Sequence, residues 1–411
     1  MNLPTLRFPE FTNEWGLKKL GELSDLITKG TTPKKFVPEG IKFIKIECFD
    51  GDRINPNKCL FIDVNTQNKE LKRSILKEGD ILFAIAGATI GKVNIVTSEI
   101  LPANTNQALS IVRLKENVSK DFIYHNLKSS KMQKYIIDNI SVGAQPNLNL
   151  EQMNNFSFCC PTLPEQQKIA TFLTAVDEKL QALKQKKNFL EQYKKGVMQQ
   201  IFSQEIRFAA DNGNTFADWK EKKLGEIGET YNGLTGKTKE NFGNGKPYIQ
   251  YKQIFDNSNI DISRFELVEI SSTEKQNKVL FGDVFFTVSS ETPNEIGMSS
   301  VLLDEIEELY LNSFCFGYRA NSLETLSPYF SKYLFRSELF RNDIIKLAQG
   351  STRYNMSKIQ LMKLEIKLPC LEEQTKIANF LSAIDDKINH CQAQITHTEI
   401  WKKGLLQQMF V

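Results

Sequence analysis

The stretch LPEQQKIATFLTAVDEKL, Leu163 to Leu180, returns without a gap as LEEQTKIANFLSAIDDKI, Leu371 to Ile388, at an offset of 208 residues. The likeness continues from Lys194, Lys195, Gly196, Gln199, Gln200 and Phe202 to Lys402, Lys403, Gly404, Gln407, Gln408 and Phe410, so that 18 of 40 aligned positions are identical. The chain is a tandem duplication, which has to be settled before any fold is assigned. Two related halves predict approximate two-fold symmetry and a target that itself has two parts.

Both copies carry a heptad stripe. Ile169, Leu173, Val176, Leu180 and Leu183 recur at alternating steps of four and three, and Ile377, Leu381, Ile384, Ile388 and Cys391 repeat the register. Helices of about 40 residues, about 60 Å at 1.5 Å per residue, are expected over 163–202 and 371–411. A whole domain must fit between the end of one and the start of the other, so the expected pairing is an antiparallel coiled coil. Thr162 and Glu165 read as a T-x-x-E capping box, and Glu372 and Glu373 favour the positive end of the second helix dipole.

Phe172, Tyr193, Phe380 and Trp401 recur at matching positions outside the seam and read as a second apolar stripe, for docking the helices of another protein. A plain dimerisation coiled coil is the alternative. Gly196 and Gly404 each cost about 1 kcal/mol relative to alanine inside a helix. Their repetition points either to another backbone in close approach or to a frayed helix end.

At 411 residues the chain is long enough for two domains, and 41% hydrophobic with 25% charged residues is ordinary for a folded soluble protein. The longest apolar run, near 81–86, is too short to span a bilayer. The opening MNLPTLRFPEF lacks the charged flank and apolar core of a secretory signal, so cytoplasmic residence is expected. Seven cysteines, odd in number and without a C-x-x-C pair, argue for reduced thiols rather than disulfides or zinc. A net charge of +3 is compatible with a polyanion without demanding one.

Residues 1–162 and 203–370 read as two globular α+β domains, with strands near 41–46, 80–85, 108–114 and 284–288 and helices near 120–137 and 328–347. They share a skeleton: Arg7, Phe8, Trp15 and KKLGEL from Lys18 return as Arg207, Phe208, Trp219 and KKLGEI from Lys222, and GDILF from Gly79 returns as GDVFF from Gly282. The opening segment thus matches the segment after the first long helix, while the chain stops where the second would feed into another such segment. The two termini are therefore expected to lie close together.

Catalytic motifs are hard to find. The histidines are His125, His390 and His397, too few and too scattered for a histidine-based centre. AGATIGKV from Ala86 approaches a phosphate loop, but Ala86 stands where glycine is needed and Val93 where serine or threonine is needed. There is no Pro-Pro dipeptide of the kind that adenine methyltransferases place against a flipped base. No catalytic or metal-ligating set is expected, and the chain reads as a recogniser.

LPEQQKIATFLTAVDEKL with its second copy, the KKG…QQ.F helix ends and the openings EWGLKKLGEL and DWKEKKLGEI resemble type I restriction-modification specificity subunits over essentially the whole chain. The resemblance implies two target-recognition domains on double-stranded DNA, each reading one half of an interrupted, asymmetric site. The helices would be spacer and docking surface for two modification (methyltransferase) subunits carrying S-adenosylmethionine. Restriction subunits, with ATP and Mg, would join for translocation and cleavage, and this chain would bind no cofactor itself. A coiled-coil adaptor with two lateral protein- or ligand-binding domains is the alternative from another class. Readers working from one face of B-DNA stand about 34 to 36 Å apart, so helix length would set site spacing.

Polar loops on rigid scaffolds are where DNA reading is expected. Asparagine and glutamine suit adenine, whereas lysine and arginine suit guanine or phosphate. In the first domain the candidates are Lys29, Thr31, Thr32 and Lys34 in a Gly-Pro-punctuated loop, Lys45 and Glu47 at a strand end, and Gln145 and Asn147 in GAQPN. In the second they are Lys237, Thr238, Lys239, Gln250, Lys252, Ser289, Ser290 and Glu291, with Gln349, Ser351, Thr352, Arg353 and Tyr354 in the segment matching GAQPN. Lys186, Lys187, Lys194 and Lys195 are phosphate candidates on the helix. For each residue taken singly, a solvated side chain is the plainer reading.

Overall fold

Each globular domain is built around a four-stranded antiparallel sheet. In the first, the order is Ser24–Lys29, Leu109–Leu114, Ile81–Ala84, Val93–Ile95; in the second, Gly228–Asn232, Cys315–Ala320, Val284–Thr287, Ser299–Val301. Successive side chains of a strand leave by opposite faces. Ile81 and Phe83 therefore enter one core while Leu82 and Ala84 enter another, and Val284 and Phe286 part from Phe285 in the same way. A sheet covered on both faces explains why these strands read as unbroken apolar runs.

The second core of each domain is closed by a smaller sheet, Leu60–Ile62, Ile41–Ile44, Ala103–Thr105 in the first and Glu266–Val268, Phe242–Ile249, Tyr310–Leu311 in the second. In each, the last pair runs parallel. Arg113 forks onto Asp80 at 2.8 and 2.7 Å, and Arg319 onto Asp283 at the same two distances. The scaffold is an α+β fold present twice.

The computed structural model describes residues 3–140 and 146–411. It divides into two compact units, 1–185 with 392–411, and 186–391. Both boundaries fall inside the long helices, which span Leu163–Phe202 and Leu371–Gln408. Each unit is thus a globular domain with one half of each helix, a different partition from four consecutive segments.

Within the first unit Ile169, Leu173 and Val176 pack with Leu405, Leu406, Met409 and Phe410, and also with Trp15, Phe122 and Phe156 of the domain. Phe172 meets the Trp401 ring at 6.0 Å and Lys184 pairs with Glu399 at 2.6 Å. Within the second, Ile377, Leu381 and Ile384 share a core with Ile201, Phe202, Trp219 and Phe330. The start of one helix meets the end of the other, so the halves run antiparallel. Leu180 and Cys391 are buried, Leu183 and Ile388 half-buried. The stripe is a three-way seam, because the domain covers it as well as the opposite helix.

The T-x-x-E pattern does not work as a capping box. Glu165 is 1% exposed, and its two oxygens take Arg7 at 2.6 and 2.8 Å and the Trp15 indole N–H at 3.1 Å. Glu373, 0% exposed, does the same with Arg207 at 3.2 and 2.9 Å and Trp219 at 3.1 Å. Beside them Gln166 accepts from the Ser119 backbone N–H at 3.1 Å, and Gln374 from that of Ser327 at 2.9 Å. The repeated Glu-Gln pair stitches each helix start to its domain.

The Leu6 backbone N–H donates to the Gln408 carbonyl at 2.9 Å, which brings the two ends of the described chain together in the first unit. In the second unit Ile206 donates to Gln200 at 3.1 Å. Gly196 and Gly404 lie inside their helices, and a Cβ built on either meets nothing within 4 Å. Neither is a frayed end, and among the described residues no other backbone comes within 4 Å of that Cβ position. No helix among the described residues is long and apolar enough to cross a membrane.

Candidate nucleic-acid interface

The sheet topology carries most of the candidates to one edge in each unit. In the first, Lys29 ends its strand opposite Ser110 and Ala84 ends its strand opposite Leu109, so the loops after both strands flank the turn 106–108. The Ile85 N–H donates to Ala108 at 2.9 Å, and Thr31 to Thr105 at 3.2 Å. Ile44 pairs with Thr105, which brings Lys45 and Glu47 to the same end. Asn147 bridges Ala86, held by Gly87 N–H to Pro146 at 3.1 Å and Leu148 N–H to Ile85 at 2.9 Å.

The second unit repeats the plan. Val288 donates to Phe314 at 3.1 Å, Leu234 to Leu311 at 2.7 Å and Asn312 to Ile249 at 3.0 Å. Gln250 and Lys252 therefore stand where Lys45 and Glu47 stand. Ser289 pairs with Asn355 and Ser290 with Tyr354, while Gln349 and Asn355 exchange both backbone bonds to close a hairpin carrying Ser351, Thr352 and Arg353. The Tyr251 hydroxyl donates to the Ser289 carbonyl at 2.8 Å. Burial raises the pKa of that phenol.

Individual candidates differ in what they can offer a ligand. Lys29, Thr31, Lys34, Glu47, Lys239, Lys252, Glu291, Gln349, Ser351, Thr352 and Arg353 are exposed, and Lys45, Gln250 and Tyr354 half-buried. Thr32 is exposed but bonded to Gln107. Lys237 is a correction: its side chain is 6% exposed and pairs with Glu274 at 2.6 Å, which neutralises the charge a phosphate would need. Ser289 and Ser290 are corrections too, 7% and 6% exposed because they are paired strand residues. The Thr238 hydroxyl is engaged by Glu240 and Asn241 at 2.6 and 3.3 Å. Gln145 lies outside the described residues.

On the helices, Lys194 is not a free phosphate contact, since it pairs with Asp385 at 2.5 Å. Phe172 and Phe380 are half-buried against Phe8 at 5.9 Å and Phe208 at 5.5 Å, so repeated aromatics of the same chain occupy that part of the stripe. Tyr193 and Trp401 stay 53% and 44% exposed. Tyr193 lines a shallow groove with Gly196, Val197, Gln200 and Glu205.

Sequence reasoning missed two residues at this edge. Asn355, rather than Tyr354, is the counterpart of Asn147, at the same offset of 208 as the helices. Continuing the helix alignment backwards would have found it. Phe314, 62% exposed at the tip of its turn, escaped because its counterpart Ala108 in the other copy is small. The loop of AGATIGKV is the counterpart of Ser289 to Thr292, a sheet-edge loop and not a phosphate cradle. Among the described residues no group of three or more His, Cys, Asp or Glu could hold a metal.

Comparison with known proteins agrees with the doubled plan. The profile of the type I restriction modification DNA specificity domain matches twice, over residues 12–192 and 217–397. The chain is 24% identical to a putative type I restriction enzyme MjaX specificity subunit of Methanocaldococcus jannaschii, over 98% of this chain and 95% of that one. It is 24% identical to the MjaVIII specificity subunit of the same organism, over 98% and 92%. Among solved structures, the type I restriction-modification S subunit of M. genitalium shares the fold with a TM-score of 0.58 at 15% identity, covering 100% of this chain and 99% of that chain. With two matched domains in one chain, this protein belongs to the type I restriction modification DNA specificity domain family.

Proposed function

We propose that this chain is the non-catalytic DNA-specificity subunit of a type I restriction-modification complex. Each unit reads one half of an interrupted, asymmetric duplex site with its loop-bearing sheet edge. The observation that carries the reading is the doubled specificity domain in which loops of different sequence sit on one repeated scaffold. Two unlike loop sets on like frames are what two unlike half-sites require. The adaptor alternative is not favoured, because the relatives are specificity subunits.

The long helices set the gap between half-sites, and the exposed Tyr193 and Trp401 faces dock two modification subunits. S-adenosylmethionine, ATP and Mg belong to those and to the restriction subunits. Methylation mapping of cells that express this chain with its modification partner should return a two-block motif with an unspecified gap. Inserting four residues at matching points of both helices should change the gap and leave both blocks intact. A single-block motif would overturn the two-reader reading; an unchanged gap would overturn the ruler.

A further inference from the structure

Both units carry asparagine at one place on the reading edge, and nothing among the described residues accounts for it. Among the polar and glycine positions there, five hold the same residue in both copies. Gly30 and Gly233 are required sterically, since a Cβ would collide with the carbonyl of Thr105 in one unit and of Asn312 in the other. Asn106 and Asn312 close the turn, their side chains accepting from Ala108 at 3.2 Å and Phe314 at 2.8 Å. Thr32 and Thr235 are bonded to Gln107 and Gln276. Lys34 and Lys237 share only a type, because Glu274 closes off the second.

Asn147 and Asn355 are the remainder. Both are exposed, and neither side chain has a hydrogen bond to any described residue. Their backbones are pinned: Asn355 exchanges bonds of 2.8 and 3.0 Å with Gln349, and Asn147 is flanked by the Gly87 and Leu148 bonds. Neither has a positive φ that would favour asparagine for its conformation. Their neighbours meanwhile diverge, Pro146 against Tyr354, Ala86 against Ser289, Gly87 against Ser290 and Ala108 against Phe314.

Two readers of different sequences meet different bases but the same sugar-phosphate backbone. Base contacts carry the sequence information, whereas phosphate contacts fix register. We propose that Asn147 and Asn355 each donate an amide hydrogen bond to a backbone phosphate of their half-site, the diverged residues around them reading the bases. This rests on the proposed DNA-specificity role and assigns the division of labour within it.

The test is equilibrium binding of the full chain, at one fixed salt concentration, to a duplex with its mapped site and to a scrambled duplex of equal length. Asn147→Ala and Asn355→Ala should each weaken binding about five- to tenfold, the loss of one hydrogen bond, and by the same factor on both duplexes. Asn147→Asp and Asn355→Asp, which repel phosphate, should weaken both further, while all four variants melt with wild type. Unchanged affinity in the alanine variants overturns the proposal, and so does a loss confined to the mapped site, which would make these residues base readers. Wild-type protein that fails to distinguish the two duplexes overturns the DNA-specificity reading itself.

Discussion

Glu165 shows how one residue can satisfy a local sequence rule and serve a distant purpose. Three residues after Thr162 it has the spacing of a cap, yet its partners Arg7 and Trp15 lie 158 and 150 residues earlier in the chain. No local pattern could reveal a bond across that separation. The repeat held the clue, because Arg7, Trp15 and Glu165 all return as Arg207, Trp219 and Glu373. Lys237 was misread for the same kind of reason, its neutralising Glu274 being invisible to a reading of its own loop. Removing Glu165 deletes its charge-assisted bonds to a partly buried Arg7, worth about 1.5 to 3 kcal/mol. Glu165→Ala should therefore lower the unfolding free energy by about that much in urea, whereas exposed Glu372→Ala should stay within about 0.5 kcal/mol. Equal losses would mean that Glu165 carries no buried pair.

The helices were legible because the heptad period is local and the duplication repeats it; what they enclose was not. Lys402 pairs with Asp177 at 2.5 Å and Asp52 at 3.1 Å, and in the other unit Lys194 pairs with Asp385, which also meets Lys332 at 3.1 Å. Each lysine near the end of one helix thus meets an aspartate near the start of the other. A buried polar pair of this sort fixes register. Beside the first pair His125 is 1% exposed, its Nε2 3.3 Å from the Thr174 hydroxyl and its Nδ1 4.0 Å from Asp177. Burial, reinforced by Lys128 and Lys402 against Asp52, lowers its pKa to about 3.

The unfolded chain takes up a proton at this histidine below about pH 6.5, which the folded chain refuses until about 3. Stability is full above 6.5 and falls as the pH drops towards 3. Asp52, held at about 2 by Lys128 and Lys402 against its burial, loses its contribution only below the ordinary carboxylate range. Asp177, raised by burial, works in the opposite direction. Urea unfolding at pH 7 and pH 4.5 should show wild type weaker in acid and His125→Gln with a smaller drop. An identical drop in both would mean that this imidazole is solvated.

For the whole molecule, the equivalence of Leu6 to Gln408 with Ile206 to Gln200 bears on how the chain is strung. Both bonds join a helix end to the segment that opens the next domain, yet only the second pair is also joined by a short covalent link, 201–205. In the first unit the segment docks without such a link. Gln204 within it is the only described non-glycine residue with a positive φ, 64°, so the connection is held in a conformation that L-residues rarely adopt. Its last residues, exposed Ser203, half-buried Gln204 and exposed Glu205, form the kind of connection that tolerates new termini, provided the flanking backbone keeps its partners. A permuted chain joined from Val411 to Leu3 by a short Gly-Ser linker and opened between Gln204 and Glu205 should keep Ile206 docked as Leu6 is docked now. It should melt within a few degrees of the parent, lose little helical circular dichroism, and return the same two-block motif in methylation mapping. A permutant that expresses only as aggregate would show that the 201–205 link holds the second unit together, and that the two junctions differ in more than covalency.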